Sequence, residues 1–109
     1  MTARLATGVW VAAYRRRLEL AGIPCFVTAR GDETSGAVLV KCATMDGAAQ
    51  AFHRTFNAEW ERVWDRLTEG PEPMVDAEIA RQRRSDPDLW VIEIEDRAGR
   101  TLLEEEGLE

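Results

Sequence analysis

Leu5, Ala6, Val9, Trp10, Ala13, Tyr14, Leu20 and Ala21 recur at three- and four-residue spacing, which predicts an amphipathic helix over 3–21. Gly22 and Pro24 end it. Advancing 100° per residue places Arg17 inside the apolar stripe, where a guanidinium must snorkel out or meet a carboxylate. Arg16 falls at the stripe edge and Arg15 on the solvent side. The period then changes to two. Residues 25–30 and 37–45 read as a hairpin around the polar, glycine-bounded loop 31–36, with Arg30 opposite Ala37. In that register Cys25, Val27 and Ala29 share an apolar face with Val38, Val40 and Cys42, and Cys25 lies directly opposite Cys42.

Residues 48–67 fit two patterns. Ala48, Ala49, Phe52, Phe56, Trp60, Val63, Trp64 and Leu67 form a helical stripe, and they equally form strands Gln50–Phe56 and Arg62–Leu67 around an Asn57–Trp60 turn. Gly70-Pro71-Glu72-Pro73 breaks the chain. A short helix over Met74–Arg84 follows, with Val75, Ile79 and Ala80 inward, acids early and arginines late, as the helix dipole favours. Asp86-Pro87 stops it. Leu89–Glu95 is a strand with Trp90, Ile92 and Ile94 on one face and Val91, Glu93 and Glu95 on the other.

These elements give an α+β domain ordered α-β-β-β-β-α-β, with a mainly antiparallel sheet and both helices packed on one face. At 109 residues the chain is one domain, assigned to 1–101, with an acidic, mobile tail over 102–109. The composition is that of an ordinary globular protein. No stretch approaches a membrane span and no signal-peptide pattern opens the chain, so a cytoplasmic protein is expected.

The formal net charge is −6, and Glu104, Glu105, Glu106 and Glu109 carry most of it. The near-neutral remainder speaks against nucleic acid as the partner. Every basic residue but Lys41 is an arginine.

Arg83-Arg84-Ser85-Asp86-Pro87-Asp88-Leu89-Trp90-Val91-Ile92-Glu93 resembles the Arg-Arg-Phe-Asp-Pro-Asp-Leu-Trp-Val-Val-Glu stretch of an uncharacterised alphaproteobacterial family, domain of unknown function 1491. Val11–Arg16 and Gly36–Val40 are similar to two other family segments. The chain departs from the family at Ser85, where phenylalanine is usual, and at Trp60, where a turn glycine is common. The resemblance implies the two-strand reading of 48–67 and brings no known activity.

The chemistry of the side chains excludes several classes. There is no phosphate-binding loop, because Lys41 sits mid-strand, and no dinucleotide turn. One histidine and two separated cysteines make neither an ordinary zinc site nor a triad with a nucleophile elbow. No metal and no cofactor are therefore expected. Apolar neighbours should keep Cys25 and Cys42 as reduced, inert thiols.

The candidate binding residues are Arg16, Arg17, Arg83, Arg84, Asp86, Asp88 and Trp90 at the helix-to-strand corner, and Trp60 at the turn. The two aspartates either cap the corner and pair with arginines or hold a ligand. Two functional readings follow. The first is a non-catalytic protein-interaction or accessory module with an unidentified protein partner, or a homodimer through 57–67. The second is an anion or nucleic-acid binder built from the corner arginines.

Overall fold

Trp90, Val91, Ile92 and Ile94 supply apolar side chains to both faces of one strand, and a strand apolar on both faces needs cover on both. In the computed structural model, which describes residues 5–105, that strand lies inside the sheet. The elements are α1 (Thr7–Leu20), β1 (Cys25–Ala29), β2 (Val38–Ala43), β3 (Ala48–Phe56), β4 (Arg62–Pro71), α2 (Glu72–Ser85) and β5 (Trp90–Glu95). This is the expected α+β order, and the ambiguous 48–67 segment is a hairpin. Residues 3 and 4 of the expected first helix and residues 106–109 of the expected tail lie outside the described residues.

The five strands are ordered β1-β5-β2-β3-β4. Only the β2–β5 pair is parallel. The expected β1–β2 hairpin is therefore split: β5 inserts between its arms. Cys25 pairs with Ile94, which pairs with Cys42, and Val27 pairs with Ile92, which pairs with Val40. The face sorting survives because β5 enters in register. The direct opposition of the two cysteines does not. They stand two strand spacings apart, roughly 9.6 Å, beyond the Cα separation a disulfide spans, and both are free. A bulge at Thr28 also turns Ala29 toward the opposite face, where it packs with Leu39 and Val91.

The helices lie on opposite faces, which corrects the one-face expectation. Trp10, Val11, Tyr14 and Leu18 of α1 pack with Val40, Cys42, Trp90, Ile92 and Ile94. Val75 of α2 packs with Leu39, Ala49, Ala51 and Val91 on the other side. The physical reason is that β2 and β5 are apolar on both faces, so each face needs a helix. The buried stripe of α1 is Thr7, Trp10, Val11, Tyr14 and Leu18. Val9 and Leu20, equally well spaced, are exposed instead.

Loop 30–37 must open wide to admit β5, and its contacts follow from that. Asp32 N–H donates to the Asp88 carbonyl at 3.0 Å, and Trp90 Nε1 donates to the Asp32 carbonyl at 2.8 Å. Asp32 Oδ2 accepts from the Ser35 and Thr34 amides, and these bonds hold its carboxyl below the usual aspartate range. The loop in turn caps α1, which has no side-chain cap of its own. The Thr7 and Gly8 amides donate to the Thr34 and Glu33 carbonyls, at 3.1 and 2.8 Å. At its other end α1 closes with Gly22 at φ 74, the Ile23 amide reaching the Leu18 carbonyl and the Gly22 amide the Glu19 carbonyl.

The segment after β5 is also held. Tyr14 Oη donates to the Thr101 carbonyl at 2.7 Å, and Leu103 joins the α1-side core. Leu103 belongs to the stretch assigned to a mobile tail from residue 102, yet it is only 6% exposed. Arg17 answers the constraint foreseen for it by lying against Glu105, with Nη1 at 4.0 Å from Oε2.

A Cβ at Gly31 would collide with the Asp88 backbone carbonyl, whereas one at Gly22 would meet open space in a left-handed conformation. Gly22→Ala should cost about 1–2 kcal/mol from backbone conformation alone. Gly31→Ala should cost more, because a backbone group has to move. Thermal unfolding of the two variants gives the order directly, and a Gly31→Ala melting temperature above that of Gly22→Ala would contradict the wedge role of Asp88.

Candidate functional site

The β3–β4 hairpin outruns its neighbour. The last β2–β3 pair is Leu39 with His53, whereas β3 and β4 stay paired out to Phe56 and Arg62. The projecting arm faces the start of α1, loop 34–37 and the end of α2 across a cleft of about 620 Å³. That volume lies in the range of ligand and docking clefts. Trp10, Trp64, Val38 and Leu5 line it on the α1 side, and Leu39, Leu67, Leu89 and Gln82 on the α2 side. Trp10 and Trp64 rings lie 5.5 Å apart, and the Arg54 guanidinium sits 5.3 Å over the Trp64 ring. Arg54, Arg62, His53 and Asp86 are the ionisable groups in the lining. The Trp64 indole N–H is buried without an acceptor among the described residues.

At the tip of the arm the Asn57 side chain accepts from the Glu59 and Glu61 amides, at 2.9 and 3.0 Å, and so holds the turn rigid. Trp60 sits there with φ 61 and 81% of its surface exposed. Its ring lies 6.2 Å from that of Phe56, itself half exposed. A large aromatic residue in a left-handed backbone conformation, turned to solvent, is opposed by both local and solvation preferences.

The other sequence-chosen residues do not form one site. Arg83, Asp86, Asp88 and Trp90 do meet at the corner, but Arg83 Nη1 and Nη2 donate to the backbone carbonyls of Pro87 (2.6 Å) and Arg30 (2.9 Å). Among the described residues neither aspartate forms an ion pair. Asp86 Oδ1 accepts from the Asp88 amide at 3.1 Å. Trp90 is buried, with the Arg30 guanidinium 5.3 Å over its ring. Arg84 is exposed. Arg16 and Arg17 lie toward the far end of α1 from the corner, roughly 15 Å along the axis, with Arg16 bound to Glu19 and Arg17 to Glu105. Other arginines pair with acids three or four residues away, as in Arg81–Glu78 and Arg100–Asp96, surface contacts that add little to stability.

One charged centre escaped attention because it sits mid-strand. Lys41 is buried on the α2 side, its Nζ 2.6 Å from Glu72, 2.7 Å from Asp76 and 3.1 Å from Glu93. The signal was available: the only lysine of the chain, set in an apolar strand, must have partners. Burial alone would lower its pKa, but the hydrogen bonds to Asp76, Glu72 and Glu93 outweigh it and hold the ammonium well above the ordinary lysine value. Burial raises both thiols, Cys42 to about 11, and raises the Tyr14 phenol too.

All four of these shifts are upward, so each contribution to stability is complete below the unfolded pKa and fades as pH rises. The two thiols fade first, both from 9.0, Cys42 toward about 11. Lys41 follows above about 10.4. Alkaline unfolding followed by circular dichroism should therefore begin near pH 9 and be delayed in Cys42→Ala. Lys41→Met should lose about 1–3 kcal/mol at neutral pH, less than a fully buried pair because its carboxylates reach water, and should flatten the limb above pH 10. An unchanged limb in both variants would remove these groups as its cause.

Several comparisons bear on this arrangement. The family described as Protein of unknown function (DUF1491) matches residues 5–104. The crystal structure of a DUF1491 family protein from Caulobacter crescentus CB15 is 44% identical, covering 92% of this chain and 95% of that one with a TM-score of 0.83. An NMR structure of a DUF1491 family protein from the same organism is 43% identical over 94% and 96%, also at 0.83. The solution structure of protein Atu0922 from A. tumefaciens is 30% identical over 93% of each chain, at 0.77. No curated protein matches the chain. No described helix is long and apolar enough to cross a membrane.

Proposed function

Since the chain belongs to the DUF1491 family, for which no function is assigned, its role has to be sought on its own surface, and we propose that it is a non-catalytic protein-interaction module. The arm of β3 and β4 and the cleft beneath it are the docking surface. The observation that carries this reading is Trp60, 81% exposed on a rigid turn in a conformation that favours glycine. Tryptophan is among the residues that dominate binding energy at protein interfaces, and local strain retained against the interest of the fold points to a use. Leu5 and Phe56, half exposed and lining the same cleft, extend the apolar surface.

The alternative, an anion or nucleic-acid site at the Asp86–Trp90 corner, is less favoured. The Arg83 guanidinium is engaged with two carbonyls, and Arg16 and Arg17 are elsewhere. A cytoplasmic setting is part of the proposal and fits the two free thiols, Cys25 and Cys42.

Trp60→Gly separates fold from function. Relief of the left-handed backbone offsets the greater freedom of glycine in the unfolded chain, so stability should be unchanged or up to about 1 kcal/mol higher. Capture from a lysate of the source organism with the tagged native chain and with Trp60→Gly should show at least one protein whose recovery falls sharply with the variant. Identical captured sets would count against the tip as a docking element, and a lower melting temperature for Trp60→Gly would mean that the tryptophan serves the fold.

A further inference from the structure

We infer that residues 101–105 form a strap that opens as a unit while the rest of the fold stays closed, and that its opening uncovers the Cys42 thiol. The device lies at the other end of the sheet from the arm and is independent of it.

The strap roofs the ends of β2 and β3. Gly99, just before it, sits beside Thr44 at the end of β2. Residues 99–102, 104 and 105 share a hollow of about 410 Å³ with Gln50 and Phe52 of β3. Cys42 lies directly opposite Gln50 in the β2–β3 ladder, so both side chains stand on the α1 face. Burial, then the nearby Cys25, Cys42 and Glu104, raise the Tyr14 phenol. The hydroxyl that latches the strap is therefore a neighbour of Cys42, which is fully buried while the strap is closed.

The attachment of the strap differs from that of every strand. As far as Arg100 the chain is anchored, because the Arg100 amide and guanidinium both donate to the Asp96 carboxylate, at 2.7 and 2.9 Å. Beyond that point no backbone–backbone hydrogen bond joins 101–105 to the sheet among the described residues. Three contacts hold it closed. Tyr14 Oη donates to the Thr101 carbonyl at 2.7 Å, the Leu103 side chain is buried, and Arg17 lies against Glu105. The bond from the Leu103 amide to Thr101 Oγ1 is internal and travels with the strap. Leu102 holds a left-handed φ of 59, which its Cβ opposes. The hollow on the β3 side leaves that flank of the strap without packing partners. A segment held by so few contacts opens at a lower cost than the sheet beneath it, and no strand pair is broken.

Labelling of the full native chain with iodoacetamide, followed in time and assigned to each cysteine by peptide mass mapping, tests this. The half-buried Cys25 is the internal reference. Cys42 should label without denaturant, at a rate that low urea leaves unchanged, because opening the strap exposes little surface. Leu103→Ala should raise that rate about thirtyfold, the low end of the loss on truncating a buried leucine. Tyr14→Phe should raise it about fivefold, the loss of one hydrogen bond. Val75→Ala is the control. It weakens the α2-side core, so it should lower the melting temperature and leave the labelling of Cys42 unchanged.

Labelling of Cys42 that rises with urea from the first addition, and that Val75→Ala speeds as much as Leu103→Ala does, would mean that the thiol is reached only through global unfolding and would overturn the inference. Labelling indifferent to both Leu103→Ala and Tyr14→Phe would overturn it too. If Leu103→Ala does not fold, Tyr14→Phe against Val75→Ala decides.

Discussion

The insertion of β5 between β1 and β2 is the constraint from which most of the molecule follows. An apolar row running Val27–Ile92–Val40–Phe52 crosses four strands under α1, and it exists only because β5 enters in register with both neighbours. The insertion forces loop 30–37 to straddle a strand, and the Asp88 carbonyl becomes the wedge that the loop closes on. Gly31 and Gly36 both approach that carbonyl too closely for a side chain. The loop carbonyls then satisfy the first amides of α1. A strand pairing made late in the chain thus decides where the first helix begins.

The same wedge shapes the cleft. Because loop 34–37 is pinned to Trp90 through the Ala37 carbonyl and to α1 through the Thr34 and Gly36 carbonyls, it does not follow β3 outward, and the β3–β4 arm stands clear of the sheet. The arm gains rigidity from Asn57 at its tip and from the stacking of Arg54, Trp64 and Trp10 at its root. A rigid arm loses little entropy on docking, which favours its use as a recognition element. Basic side chains near the start of the cleft and acids at the tip give the arm a polarity along its length.

On the other face, Lys41 joins three elements through three carboxylates. Glu72 and Asp76 belong to the first turns of α2, where carboxylates are also favoured by the helix dipole, and Glu93 belongs to β5. A buried ammonium and its carboxylates together add little net stability over apolar residues in their place, but the ammonium demands one arrangement of its partners. It thereby orients α2 on the sheet, which closes the α2-side wall of the cleft through Gln82 and Asp86.

What the chain by itself determined were the properties encoded at short range: the element order outside 48–67, the helix stop at Gly22, and the apolar face of Cys25, Val27, Val38, Val40 and Cys42. Each depends on period, turn chemistry or a single residue's conformational preference. Only the tertiary structure decided that β5 splits the first hairpin, that the helices take opposite faces, that Leu103 is core, and that Trp10, Trp64 and Arg54 share a wall. Apolar alternation says which face of a strand is buried but not which strand lies beside it, since both neighbours present similar rows. The corner arginines were likewise visible one by one. Their partners, backbone carbonyls for Arg83 and distant or adjacent acids for Arg17 and Arg16, were set by where the chain folds back, which no local spacing records.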